Sequence, residues 1–144
     1  MLDSQVLIYD GDCAFCQRCV DWGVRVLPDF PQALAYASIL PEQFGLSLED
    51  VQQSIWLIDV AASLEIRQAG KSHWSGHRAA AQILLRQPTK SQFGFFWRLL
   101  GFLIILGGPV SALAYRLVAK NRHRLPGATA ACELPDPAGS KAAN

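Results

Sequence analysis

Val6-Leu7-Ile8-Tyr9-Asp10-Gly11-Asp12-Cys13-Ala14-Phe15-Cys16 is the stretch on which the reading of this chain turns. A continuous apolar run rich in β-formers gives way to a short polar turn, and two cysteines separated by two residues open the segment that follows. The run fits a buried strand. From Cys13 to Leu27 the residues Phe15, Cys16, Cys19, Val20, Gly23, Val24 and Leu27 recur at steps of three and four until Pro28 ends the pattern, which predicts a helix. The strand therefore delivers Cys13 to a helix N-terminus, with Cys16 one turn along on the same face.

That placement has chemical consequences. The attacking species in thiol-disulfide exchange is the thiolate, and unpaired backbone N–H groups at a helix start lower a thiol's proton affinity. Cys13 is accordingly expected to be the nucleophile and the more exposed thiol, and Cys16 the resolving thiol that attacks the mixed disulfide. Cys16-Gln17-Arg18-Cys19 forms a second, overlapping C-x-x-C, and Cys19 reads as a packed helix residue or a secondary thiol. Asp12 is expected to N-cap the helix. Asp10 has two readings: it orders the turn, or it shuttles a proton to and from the resolving thiol. Gly11 allows the tight turn between them. Arg18 is the local cation expected to offset these carboxylates.

Working outward, Ala33 to Ile39 reads as a strand, Pro41 to Phe44 with Leu48 to Val51 as a short broken helix, and Ser54 to Val60 as the clearest strand of the chain. Leu64 to Arg67 alternates as its hairpin partner should. A helix capped by Ser72 or Ser75 then runs through Ala79, Ala80, Ile83 and Leu84 to a stop before Pro88. The order β-α-β-α-β-β-α is that of a thioredoxin or glutaredoxin-like α/β core, expected over residues 1–90. Beyond Ser91 the apolar residues Phe93 to Leu106 and Val110 to Val118 predict two helices around a Gly107-Gly108-Pro109 corner, a buried hairpin packed on the core over residues 91–125. Arg116, Lys120, Arg122 and Arg124 close the second helix, where cations complement its dipole. Residues 126–144, rich in Pro, Gly, Ala and Ser, are expected to be mostly irregular.

Composition narrows the function classes. In a chain of 144 residues, 51% hydrophobic and 17% charged, there is ample material for a core. A net charge of +1 gives no reason to expect nucleic acid. Four cysteines, three of them crowded into one helix, do not make a disulfide scaffold. The N-terminal apolar run lacks a basic lead and is interrupted by Asp10, so a reducing, cytoplasmic setting is the expectation.

The run Tyr9 to Cys16, with Cys19 a turn later, resembles the signature of the DCC-type thiol-disulfide oxidoreductases. Tyr115-Arg116, Lys120-Asn121-Arg122, and Cys132 with Leu134-Pro135 are similar to that family's closing segment, so the resemblance covers roughly residues 5–135. It implies a thioredoxin-like domain with a helical C-terminal extension and a redox activity, without naming a substrate; the expectation here is a protein or low-molecular-weight thiol or disulfide, and no cofactor. One feature departs from thioredoxin itself, which carries a cis-proline just before its third strand. Gln52-Gln53-Ser54 occupies that place here, so the substrate groove must be built differently.

Two other readings stand beside this one. Cys13, Cys16, Cys19 and Cys132 make a possible zinc or iron–sulfur ligand set. Against it, positions six apart on a regular helix are rotated by about 240°, so three such ligands diverge unless the first turn unwinds. His73 and His77, four apart on the same expected helix, have the spacing of a two-histidine face, but no acidic partner completes it and no metal is expected. The third reading is a membrane-associated redox or interaction module. Residues 99–115 are uncharged between Arg98 and Arg116, but the Gly-Gly-Pro break leaves pieces too short to cross a bilayer of about 30 Å.

Overall fold

The computed structural model describes residues 5–60, 73–91 and 93–125. Among these residues four strands form one sheet: β1 (Gln5–Tyr9), β2 (Gln32–Ala35), β3 (Trp56–Asp59) and β4 (His73–Ser75), in the spatial order β2-β1-β3-β4. β1 runs parallel to β2, with Leu7 opposite Ala33, and antiparallel to β3, with Leu7 opposite Leu57. β3 and β4 are antiparallel. The helices are α1 (Ala14–Val26), α2 (Leu48–Gln53), α3 (Gly76–Leu85), α4 (Gly94–Leu106) and α5 (Gly108–Asn121). This is a mixed α/β fold compatible with the thioredoxin type, in the order the hydrophobic periodicities predict.

Alternation along β1 builds two cores, because successive side chains of a strand point to opposite faces. Val6 and Ile8 face Ile58, Leu46 and Val51, under α2 and the 3-10 turn Pro41–Phe44. Leu7 faces Leu57, Leu27, Ala79 and Ile83, under α1 and α3. Ile8 and Leu57 are sealed from solvent, so the strand that carries the cysteine turn is the most deeply held element of the sheet. A polar clamp ties the two helices of the second layer. The Gln87 side chain, wholly buried after α3, accepts from the Asp29 backbone N–H at 3.0 Å and donates to the carbonyls of Asp29 and Ile83.

Several expectations are corrected. The strand expected from Ala33 to Ile39 stops at Ala35, where the chain turns into a 3-10 segment over Tyr36–Ser38. The strand beside β3, among the described residues, is His73–Ser75; the expected partner Leu64 to Arg67 lies outside them. His73 is therefore on a strand and His77 on α3, so the two do not share a helix face. Ser75 is the N-cap of α3, without a side-chain capping bond.

The hairpin beyond Ser91 differs most from expectation. α4 and α5 form around the Gly-Gly-Pro corner, bent by 98°, but they are not buried. On α4 only Gly94 and Gly101 are buried, and α5 has no buried residue. Gly101 lets α4 cross α3 closely: a Cβ there would lie 2.8 Å from the Ala81 carbonyl oxygen. Aromatic anchoring comes from Trp97, which meets Trp22 of α1 edge-on at 6.1 Å.

Replacing the clamp tests its weight. Gln87→Met keeps the volume but strips the Asp29 N–H and two carbonyls of their partner, and should cost about 2–4 kcal/mol. Urea unfolding should show a lower midpoint at unchanged slope.

Candidate active site

Tyr9 ends β1, and the next residue, Asp10, is buried at the head of the turn into α1. Its two carboxylate oxygens do different work. Oδ1 accepts from the backbone N–H groups of Asp12 (3.1 Å) and Cys13 (3.3 Å), which folds the turn. Oδ2 pairs with Arg122 Nη2 at 3.1 Å. Asp10 thus orders the turn, while the N-cap of α1 is Cys13, with no side-chain capping bond, rather than Asp12. Asp12 instead accepts a hydrogen bond from the Tyr36 hydroxyl at 3.0 Å. Gly11 is needed for space and not for an unusual φ, because a Cβ there would sit 2.5 Å from Ala35 Cβ. The Gln17 side-chain amide donates to the Gly11 carbonyl from one turn into the helix.

The cysteines are arranged in the reverse of the expected order of exposure. Cys13 is fully buried and disulfide-bonded. Cys16, partly exposed, and Cys19, exposed, are free thiols, so neither is the partner of Cys13. The physical reason is the approach of the turn: Cys13 follows the buried Asp10 turn at the N-cap of α1, whereas Cys16 and Cys19 lie on the part of the helix that lines the cavity. Cys19 is correspondingly a surface thiol and not a packed core residue. Cys132 lies outside the described residues. A zinc or iron–sulfur ligand set through Cys13 has no thiolate available there, and among the described residues no three His, Cys, Asp or Glu side chains converge on a metal position.

The cation of the site is Arg122, expected from the sequence only to complement a helix dipole. It follows α5 directly, in the 3-10 turn Arg122–Arg124, and is almost wholly buried. Nη1 donates to Cys16 Sγ at 3.6 Å, and Nη2 reaches the Gln52 carbonyl at 3.0 Å as well as Asp10. Arg18, the expected local cation, sits on the exposed face of α1. Tyr115 docks the same helix. Its hydroxyl accepts from the Ile55 backbone N–H at 3.2 Å, so the backbone donor just before β3 is occupied. Tyr115, Val118, Ala119 and Arg122 share one face of α5 and its extension, since they recur at helical spacing. That face and α1 line a mostly apolar cavity of about 490 Å³, into which Cys16, Cys19, Phe15 and Trp22 also contribute.

The electrostatics of Cys16 are a contest. Burial raises its pKa most, Arg122 lowers it by charge and by its hydrogen bond, and Asp10 raises it; the net direction is upward. Burial also pushes the Cys19 thiol up. Helix position alone therefore does not make an acidic thiol here, because desolvation of the thiolate exceeds what the donors return.

A scan against protein-family models matches residues 7–128 to the DCC1-like thiol-disulfide oxidoreductase model. The chain belongs to that family. It is also 28% identical over 142 residues to the uncharacterized protein YuxK of Bacillus subtilis (strain 168), a match covering 97% of this chain and 93% of that protein. No solved structure matches. Of the site residues, the turn from Asp10 to Cys16 was legible as a motif, whereas the contact between its ends and Arg122 was not. The signal for Arg122 lay in the closing segment Lys120-Asn121-Arg122, which is similar to that of the family.

Because Arg122 and Asp10 act on Cys16 with opposite signs, their neutral variants should move it in opposite directions. In the wild type, alkylation of Cys16 by iodoacetamide should have its midpoint above that of an ordinary thiol. Arg122→Gln should raise it further, slowing alkylation at neutral pH by about tenfold. Asp10→Asn, which keeps an acceptor for the turn, should lower it. Peptide mass spectrometry across pH reads all three.

Proposed function

We propose that this protein is an enzyme of thiol-disulfide exchange working through Cys13 and Cys16, with Cys16 as the attacking thiolate and Cys13 as the sulfur that closes the internal disulfide. The observation that carries this reading is the position of Cys16 Sγ, 3.6 Å from the Arg122 guanidinium and on the wall of a cavity, three residues beyond the buried Cys13. It exchanges the roles that chain order alone suggested, because the attacking sulfur must reach its substrate. The substrate is a protein or low-molecular-weight disulfide, and the setting is cytoplasmic.

The step balances as follows. With Cys13 first reduced by a thiol reductant, Cys16 gives up its proton to solvent and its thiolate attacks one sulfur of the substrate disulfide. A bond forms between Cys16 Sγ and that sulfur, and the substrate's other sulfur leaves as a thiolate. Cys13 then attacks Cys16 Sγ, the Cys13–Cys16 disulfide forms, and the second substrate thiol departs. Two protein thiols have been oxidised and one substrate disulfide reduced. Arg122 steadies the charge on Cys16 before attack, and again when Cys16 is the leaving thiolate as the pair is reduced or runs backward. The i, i+3 spacing on α1 suits closure, since it falls within the Cα separation of roughly 4.4–6.8 Å that a disulfide spans. Asp10 holds both ends of the device, the turn beneath Cys13 and the guanidinium beside Cys16.

Cysteine variants separate the roles. Cys16→Ser should reduce turnover of a model aromatic disulfide to the uncatalysed background. Cys13→Ser should stall the reaction as a mixed disulfide at Cys16, visible by mass under non-reducing conditions. A mixed disulfide trapped at Cys13 in Cys16→Ser would restore the order expected from the sequence. Rapid resolution of the Cys13→Ser adduct by Cys19 would move the internal pair to Cys16 and Cys19.

A further inference from the structure

We infer that the α4–α5 corner is a docking face for an anionic lipid bilayer, on which the protein lies without crossing. The first observation is apolar exposure. Phe93, Phe95, Phe96, Phe102, Leu106 and Val110 are each more than half exposed, and Leu99, Leu103, Ile105, Leu113 and Leu117 extend the same surface. Ordinary monomers keep contiguous apolar patches to a few hundred Å². α4 is apolar all round, with Arg98 its only charge, a pattern that belongs inside a core or in lipid. It is not inside the core.

The second observation is charge. Between Glu65 and Glu133 the chain has ten lysines and arginines and no aspartate or glutamate, although its net charge is only +1. The acidic groups are segregated into the rest of the chain. Along α5 and the 3-10 turn that follows it, the exposed apolar residues Val110, Leu113 and Leu117 recur at steps of three and four, and the exposed cations Arg116, Lys120 and Arg124 recur at steps of four. An apolar stripe beside a basic one is the construction of a helix that rests in the headgroup plane, its lysine and arginine stems reaching along the apolar surface to the phosphates.

Geometry decides between lying on and crossing. No single described helix is long and apolar enough to cross a membrane; α4 and α5 together have the length and composition, but α4 spans only about 20 Å before the 98° break. The 98° bend lets α4 and α5 share one plane as an L. Other occupants fit less well. A second copy placed across a two-fold axis would set this cation-rich face against itself. Residues 126–144 contain a single large aliphatic side chain, Leu134, too little to cover the face. Val118, exposed on α5, also lines the cysteine cavity, so docking would hold the thiols close to the lipid surface. The inference does not depend on which cysteine attacks.

Vesicle flotation of the full chain tests it. At about 0.15 M salt, vesicles containing about one-third phosphatidylglycerol should bind at least tenfold more tightly than phosphatidylcholine alone. The Arg116→Gln/Lys120→Gln/Arg124→Gln variant should lose roughly 100-fold on the anionic vesicles, at about fivefold per cation. Phe95→Ser/Leu106→Ser, which alters only exposed side chains and should leave the circular dichroism unchanged, should release the protein from both kinds. Absence of binding, or equal binding to the two compositions, overturns the inference. So does a dimer in sedimentation equilibrium that Phe95→Ser/Leu106→Ser breaks while the vesicles stay bare, which would give the face to a second copy.

Discussion

The buried pair between Asp10 and Arg122 is the contact on which the rest of the structure depends. It joins the turn after the first strand to the end of the last helix, with both side chains almost sealed from water and the oxygen and nitrogen 3.1 Å apart. Removing either partner strands the other charge in a poorly solvated place, a change that in proteins generally costs about 3–5 kcal/mol. The pair is more than a latch. Asp10 uses its second oxygen to fold the turn that sets Cys13, and Arg122 uses its second amino group to reach Cys16. One salt bridge therefore couples the position of two sulfurs to the docking of α5.

That coupling gives the helical extension a chemical purpose. A thioredoxin-like core presents the start of α1 to solvent, where a thiolate would be stabilised by water and by the helix N-terminus. Here α5 lays Tyr115, Val118, Ala119 and Arg122 over that region, so Cys16 looks into an apolar cavity and loses much of its hydration. The guanidinium returns part of what burial removes. Tyr115 also takes the Ile55 N–H, a donor that an extended substrate would otherwise find at the edge of the site.

The same extension explains the departure from a buried hairpin. α5 spends its one inward-facing stripe on the cysteine site, and α4 makes its close contact with α3 through the small side of Gly101 and through Trp97. Among the described residues neither helix has a second layer above it, so the large apolar residues of both are left outward. The acid-free composition of the surrounding chain gives this surface a sign as well as a polarity.

Sequence by itself determined the elements and their order, because periods of two and 3.6 in apolar residues report local geometry and burial. It also located the cysteine turn, since a strand, a glycine and a C-x-x-C are contiguous in the chain. Exposure could not be read that way: Cys13 is the first cysteine of the helix and yet the buried one, because depth is set by what packs above a residue and not by its rank in the chain. The identity of the cation at Cys16 was likewise decided by the fold. Arg18 is two residues from Cys16 and Arg122 is 106 residues away, and only the tertiary path of α5 makes the distant one the neighbour.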